Sequence, residues 1–307
     1  MSSSASIYTG WLNVRSLGNK AKAVRELITD DNLDIVVLSE TWHVTPDAGC
    51  IQKVKPCGYT LFDAVREKDP HHGGLAILLC TNFTGSRIAL SGVYISKFEC
   101  LAVQVAIGGL LLVVVAIYRP GSERPVPQFF DELTELLEFI VQRKCPFVIG
   151  GDFNIHVEDP SDPNAKRLTS VLAGFGLEQR VERPTHRRGG TLDVVILPKE
   201  IANVSVTVAQ LWSKGNHSYD VTFDHGLVVA QLLTTDLTAF STTTAVSHLG
   251  KASSSDKAAG EPIGEHERVL TVLIDSFSNH RLPGKAVYIP IPSYSHSINF
   301  VLSRSHS

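Results

Sequence analysis

The chain of 307 residues has few cysteines, and their pattern excludes two classes of site. Five cysteines are an odd number, and none of them forms a C-x-x-C pair. Neither a disulfide scaffold nor a cysteine zinc site is therefore expected. Residues Met1–Ser6 are small and polar and lack the charged, apolar pattern of a secretory leader. Free thiols and an intracellular protein are the simplest interpretation.

An excess of positive charge is also missing. Lysine and arginine number 28 against 31 acidic residues, which gives a formal net charge of −3. A protein that holds nucleic acid by phosphate neutralisation alone carries a marked basic excess. A polyanionic ligand would therefore have to be held locally or through a metal.

One apolar segment, Leu101–Tyr118, approaches the ~20 residues that span a bilayer. Gly108 and Gly109 interrupt it at its centre, and Val and Ile dominate its sequence. These features favour two buried strands joined by a tight hairpin, so no membrane partner is expected.

The pattern of apolar residues predicts one α/β domain over residues 1–233. A β-α-β opening is followed by further strands, among them Ile88–Ile95, and by helices at Val126–Val141 and Ala165–Phe175. Helices beside mainly antiparallel strands favour an α/β sandwich. Residues 234–307 are predicted to be a disordered tail because their Ser/Thr-rich beginning has little apolar periodicity.

Polar side chains follow several of the predicted strands, where a rigid element presents them to a cleft. Each has an ordinary structural explanation when taken singly: Glu40 is a strand end or helix cap, Asp152 and Asn154 form a turn, and Asp-His pairs are common by chance. Together they supply oxygen ligands for Mg²⁺, donors for phosphate oxygens and an imidazole supported by a carboxylate. The ordered set is Asn13, Glu40, Tyr118, Asp152, Asn154, Asp193, Asp224 and His225.

These residues lie in segments that resemble the endonuclease/exonuclease/phosphatase superfamily, which has the DNase I-like fold. The likeness is closest to the endonuclease domain of LINE-type, or non-LTR, retrotransposons. It extends over about Ile7–Leu233 and rests on the segments LNVRSL, LDIVVLSETW, AIYRP, GGDFNIHVEDP and PTHRRGGTLDVVI. The resemblance implies a four-layer α/β sandwich, in which two mainly antiparallel sheets are flanked by helices.

The resemblance also implies a role for each site residue. Glu40 would hold a divalent metal, Mg²⁺ or Mn²⁺ in its place, with Asn13 and Asp224 beside it. Asp152 would orient or deprotonate the attacking water, and Asn154 and Tyr118 would donate to the phosphoryl oxygens. His225 would contact the phosphate, supported by Asp193. Whether His225 or Asp152 is the general base stays open at this stage.

A basic stretch near Thr185 is the candidate DNA contact. Thr185 matches a family threonine that lies near bound DNA, and Arg183, Arg187 and Arg188 stand close to it in the sequence. In a chain of net negative charge this stretch is either a local grip on the DNA backbone or a solvated loop.

Phe223 departs from the family pattern. The last motif of the family is normally Ser-Asp-His, and here the residue before Asp224 is phenylalanine. We expect it to remove a donor from the phosphate site and to add bulk there, unless the local register turns the ring elsewhere.

The sequence therefore predicts a Mg²⁺-dependent DNA endonuclease of retrotransposon type that nicks its target. The family resemblance implies a nuclear location, and the sequence indicates no obligate protein partner. Two alternatives stay open: a phosphatase or abasic-site repair nuclease of the same superfamily, and an impaired or inert relic.

Overall fold

Two six-stranded β-sheets pack face to face in the part of the chain that the computed structural model describes, residues 5–66, 69, 71–212 and 221–241. The first sheet contains, in spatial order, β11 (Ser205–Ala209), β12 (Leu227–Leu233), β1 (Ser6–Asn13), β2 (Ile35–Ser39), β4 (Leu75–Cys80) and β3 (Tyr59–Ala64). The second contains β5 (Thr84–Arg87), β6 (Glu99–Ile107), β7 (Leu110–Tyr118), β8 (Phe147–Asp152), β10 (Asp193–Pro198) and β9 (Leu177–Gln179). Only β1–β2 and β7–β8 are parallel among these pairs, so the expectation of mainly antiparallel sheets is confirmed.

Helices cover the outer face of each sheet and complete four layers. The helices α1 (Ala21–Asp30) and α2 (Gly49–Val54) pack on the first sheet, and α3 (Pro127–Val141) and α4 (Pro163–Gly174) pack on the second. The apolar stripe of α1 explains its position, since Val24, Leu27 and Ile28 are all buried. The predicted sandwich is confirmed, with one apolar core between the sheets and one beneath each helical layer.

The long apolar segment forms the predicted hairpin. Strands β6 and β7 pair along their whole length, from Glu99 opposite Tyr118 to Ile107 opposite Leu110. Because β7 lies inside the sheet, its residues from Leu112 onward are buried, which explains a nearly continuous apolar run. Among the described residues, no helix has the length and apolar character needed to cross a membrane.

The predicted strand at Ile88–Ile95 is wrong. The strand in this region is β5, and Ile88 makes one further ladder bond, from its N–H to Ala102 O at 2.8 Å. The chain then turns, and Leu90, Val93 and Ile95 pack against the core beneath α3. Their apolar character reflects this packing and not the alternation of a strand.

The ordered chain extends past Leu233, where the sequence predicted the end of the domain. Residues 234–241 are helical, and Leu237 is buried in the core between the sheets. The remainder of the predicted tail lies outside the described residues.

Candidate active site

The candidate site lies at the ends of the inner strands of both sheets. Polar side chains at or next to these strand ends meet there. Within the second sheet the strand register places three of them side by side: Tyr118 pairs with Asp152 across β7–β8, and Asp152 pairs with Asp193 across β8–β10. Asn13 ends β1 of the first sheet, and its amide reaches Asp152. Mostly buried strands that end in a polar residue thus bring Asn13, Tyr118 and Asp152 to a common point.

Asp152, Asp193 and His225 form a buried cluster whose possible ligand atoms lie within 4.8 Å of one another. His225 Nδ1 lies 2.8 Å from Asp193 Oδ2, which fixes the orientation of the imidazole. Burial disfavours the charged imidazole, but the charge and hydrogen bond of Asp193, with the charge of Asp152, outweigh it and raise the pKa of His225 to about 9. The ring is therefore an imidazolium at neutral pH.

Asp152 is the most constrained carboxylate of the site, with 1% of its surface exposed. Burial and the neighbouring charge of Asp193 raise its pKa to about 7, although His225 and the Asn13 hydrogen bond act in the opposite direction. A carboxylate whose pKa lies near neutrality is suited to exchange a proton with water.

Asn13 connects Asp152 to Glu40. Its Nδ2 donates to Asp152 Oδ2 and to Glu40 Oε1, each at 2.8 Å, and its Oδ1 accepts from Arg15 N at 3.0 Å. Glu40 follows β2 with a φ of +52°, a backbone conformation that glutamate rarely adopts. The amide thus brings two carboxylates from different sheets together.

This donor set suits a divalent cation. Glu40 and Asp152 supply carboxylate oxygens, the ligands that Mg²⁺ prefers. The buried Asp193 Oδ1 has no hydrogen-bond partner among the described residues, which is costly for an anion. The structure therefore brings Glu40 and Asn13 to one place, as the sequence predicted, and sets Asp152 and Asp193 next to them.

Tyr118 and Asn154 lie on either side of Asp152. Burial and the charges of Glu40 and Asp152 raise the pKa of Tyr118, whose hydroxyl is hydrogen-bonded to Glu40. Asn154 Nδ2 donates to Asp152 Oδ2 at 2.9 Å and to Arg119 O at 2.8 Å. Both groups are thus beside the carboxylates, where the sequence placed donors to phosphate.

Arg119 is a residue of this site that the sequence analysis did not single out. Its buried guanidinium donates to four backbone oxygens, those of Phe153, Asn154, Pro120 and Glu123, at 2.6–2.8 Å. It fixes the turn that carries Asn154. Its position directly after Tyr118 within AIYRP was the one available indication.

Asp224, predicted to lie beside the metal, is paired with two arginines. Both of its carboxylate oxygens are paired with guanidinium groups, Oδ2 with Arg15 and Oδ1 with Arg187 at 2.9 Å. Partial burial raises the pKa of Asp224, but the hydrogen bond and charge of Arg15 and the charge of Arg187 outweigh it and hold that pKa below its usual value. In this arrangement each carboxylate oxygen of Asp224 is paired with an arginine, and its place beside a cation stays a prediction.

Thr185 is fully buried and is not a surface residue as its predicted DNA contact requires. Its Oγ1 accepts from Leu192 N at 2.9 Å and from Asp193 N at 3.0 Å. The hydroxyl therefore positions the start of β10, and with it the carboxylate that supports His225. Arg183, Arg187 and Arg188 do have exposed side chains beside it, although Arg187 is paired with Asp224.

Phe223 does not add bulk to the phosphate site, so that expectation is wrong. Its ring is 1% exposed and packs in the core beneath α1, in the same apolar cluster as Leu12, Leu17 and Leu227. Lys20 Nζ lies 5.2 Å from the ring centroid. The local register directs this side chain away from His225 and into the core.

Comparisons with known proteins show the family and the fold of the chain. The family model described as Endonuclease/Exonuclease/phosphatase family matches residues 10–229. No curated protein matches the chain. Among solved structures, the chain is similar to the endonuclease domain of TRAS1, a telomere-specific non-LTR retrotransposon, at 13% identity and a TM-score of 0.56, over 74% of this chain and 98% of that one.

Two further structures share the fold. The 3′ phosphatase NExo from Neisseria, bound to product DNA hairpin, is 19% identical with a TM-score of 0.55, over 74% of this chain and 99% of that one. The AP endonuclease LMAP from Leishmania major is 11% identical with a TM-score of 0.57, over 74% of this chain and 87% of that one. At these identities the likeness is one of fold.

Proposed function

Because the chain belongs to the endonuclease/exonuclease/phosphatase family, we propose that it is a divalent-metal-dependent endonuclease that nicks DNA, of the type found in non-LTR retrotransposons. One observation carries the proposal: Tyr118, Asp152 and Asp193 stand side by side across three neighbouring strands, and His225 lies 2.8 Å from Asp193. This row, with His225 beside it, presents a base (Asp152), a cationic donor (His225) and a phenol (Tyr118) to one phosphate.

Glu40 is the residue that would hold the cation, next to Asn13. When bound, Mg²⁺ or Mn²⁺ polarises the scissile phosphate and stabilises the leaving oxygen. The cluster of Asp152, Asp193 and His225 also has the spacing of a metal site. However, His225 Nδ1 and Asp193 Oδ2 are already paired with each other at 2.8 Å, and Glu40 is not part of that pair. We therefore assign the cation to Glu40.

Asp152 is the general base in this proposal. Its pKa of about 7 lets it accept a proton from the attacking water near neutral pH. His225, kept protonated by Asp193, donates to a non-bridging phosphate oxygen, where negative charge increases in the transition state. The phenol of Tyr118, hydrogen-bonded to Glu40, is the group that would turn its O–H to a second phosphate oxygen when substrate binds.

DNA is the proposed substrate because Arg183 and Arg188 have exposed side chains in the segment whose Thr185 hydroxyl accepts from Asp193 N. They provide local phosphate contacts in a chain of net charge −3. With Phe223 in the core, the structure gives no reason to regard the site as inert.

The test is nicking of supercoiled plasmid by the full chain with Mg²⁺ and with EDTA. Asp152→Ala should lower the rate by about 10²–10⁴-fold, as expected for loss of a general base. Glu40→Ala should abolish the Mg²⁺-dependent nicking. Asp131→Ala, which removes an exposed carboxylate from α3, is the matched control and should leave the rate unchanged.

Nicking that survives both active-site substitutions would show that the assigned site is wrong. Two further substrates separate the alternatives within the family. Faster turnover of an abasic-site duplex would favour a repair nuclease, and faster release of phosphate from a 3′-phosphorylated oligonucleotide would favour a phosphatase.

A further inference from the structure

We propose that Glu99 is a positioning residue for Glu40, on which it acts through the loop of Gly73 and Gly74. The inference rests on the proposed function, in which Glu40 holds the cation. It assigns a role to a partly buried carboxylate next to the site that the mechanism above does not use.

Glu99 extends the functional row by one strand. It begins β6 directly opposite Tyr118, so Glu99, Tyr118, Asp152 and Asp193 occupy neighbouring positions on four strands. Its Oε2 accepts from Gly74 N at 2.7 Å, and its Oε1 lies 3.6 Å from Arg66 Nε. The carboxylate thus faces the loop before β4, and the proposed mechanism gives it no contact with the phosphate.

The glycine loop carries this contact to the segment of Glu40. Trp42 N donates to Gly73 O at 2.8 Å, and Thr41 N donates to Gly74 O at 3.2 Å. Both glycines have positive φ, +97° and +86°. A Cβ on Gly73 would overlap Glu99 Oε1, and one on Gly74 would lie 2.6 Å from Thr41 Oγ1. A side chain at either position would therefore require Glu99 or Thr41 to shift, and it would also be strained by the positive φ.

Glu40 needs such support because its backbone is strained. Both Glu40 and Trp42 have a positive φ, +52° and +51°, which for non-glycine residues persists only where the surroundings impose it. A second set of contacts acts on the same segment: Thr41 Oγ1 lies 2.7 Å from His43 Nδ1, and His43 Nε2 lies 3.0 Å from Asp63 Oδ2. Glu99 differs from these residues because it lies in the second sheet, directly opposite Tyr118.

The experiment compares three variants of the full chain with the wild type. Glu99→Ala removes the acceptor of the Gly74 N–H, whereas Glu99→Gln keeps an acceptor oxygen of the same reach. Glu132→Ala is the matched control: Glu132 is a buried carboxylate that accepts from Ser96 N and Lys97 N, each at 2.8 Å, away from the glycine loop.

Two readouts are independent of turnover. Hydrogen exchange at the Thr41 and Trp42 amides reports whether the segment is held, and calorimetric titration with Mn²⁺ reports its affinity. In Glu99→Ala we expect loss of amide protection and an Mn²⁺ Kd raised by about 10–100-fold, the usual effect of removing a group that orients a metal ligand. Glu99→Gln and Glu132→Ala should match the wild type in both measurements.

Unchanged protection and unchanged Kd in a folded Glu99→Ala protein overturn the inference. So does an equal loss in Glu132→Ala, since that outcome reflects general destabilisation. Should Glu99→Ala not fold, Glu99→Asp makes the same test, because its shorter side chain withdraws the acceptor from Gly74. A wild type that binds Mn²⁺ without nicking DNA contradicts the proposed function alone. One that binds no Mn²⁺ contradicts both the metal assignment and the role of Glu99 toward it.

Discussion

Replacement of Phe223 by serine introduces the residue that the family pattern has before Asp-His. The structure predicts that this replacement will not raise the activity. The ring is buried in the core beneath α1. A serine with the same backbone direction places its hydroxyl among Leu12, Leu17 and Leu227 and not at the phosphate. We therefore expect the nicking rate of folded Phe223→Ser to be no higher than that of the wild type.

The cost in stability follows from the burial of the ring. Truncation of a buried phenylalanine typically costs about 3–5 kcal/mol, and the stranded hydroxyl adds a penalty of about 1–3 kcal/mol. The Lys20 ammonium also loses its contact with the face of the ring. Cation–π contacts at exposed sites are worth roughly 0.5–1 kcal/mol. We expect Phe223→Ser to lose at least about 3 kcal/mol, or about 6–12 °C in Tm for a domain of this size.

Chemical denaturation and single-turnover nicking decide the question together. Phe223→Leu is the control, because it keeps an apolar side chain and should cost less than about 1.5 kcal/mol. A Phe223→Ser protein that is as stable as the wild type and nicks tenfold faster would refute the placement of the ring. The departure from the family motif would then be a lost catalytic donor.

Two further predictions concern charge. Burial lowers the pKa of His225, but Asp193, with Asp152 and Glu40, outweighs it and raises this pKa from 6.5 to about 9. The stabilisation from these charges is therefore fully present below pH 6.5 and is lost as the pH rises through about 9. Denaturation between about pH 7.5 and 9.5 should show a steeper loss of stability in the wild type than in Asp193→Asn; equal slopes would contradict the pairing. Arg188→Ala should lower the slope of log K for DNA against log salt by about one, and Arg187→Ala by less, because Asp224 already pairs with Arg187. Filter binding at several salt concentrations measures both slopes, and equal effects would show that Asp224 does not neutralise Arg187.

Much of the architecture was predictable because buried strands have a strong sequence pattern. The run of Val and Ile with two central glycines required a hairpin, and the order of strands and helices favoured a sandwich. The strand expected at Ile88–Ile95 failed because packing against α3 produces the same apolar composition. Short elements such as α2 and β9 escaped detection, since 6 and 3 residues carry too little periodicity.

The site was predictable in residue type and less so in direction. Motif positions identified Asp152, Asp193 and His225, which the structure brings together. Motifs do not specify where a side chain points. Phe223 was expected at the phosphate site and Thr185 near bound DNA, whereas both side chains are buried. Ion pairs that join distant segments, such as that of Asp224 with Arg15, depend on the fold itself. Glu99 had no motif, because its role depends on a register that only the paired strands define.

The order of strands has a consequence for how the protein forms during synthesis. All six strands of the second sheet come from one continuous stretch between Thr84 and Pro198, so that sheet can assemble as soon as this stretch has left the ribosome. The first sheet joins the earliest strand to the latest, since Ser6 pairs with Leu233. Strand β1 can pair with β2 as soon as Ser39 is made, but its other neighbour, β12, comes from nearly the end of the domain, and contacts of such long range form slowly. His225, which lies just before β12, therefore reaches Asp193 last, so the cluster of Asp152, Asp193 and His225 is complete only when β12 is in place.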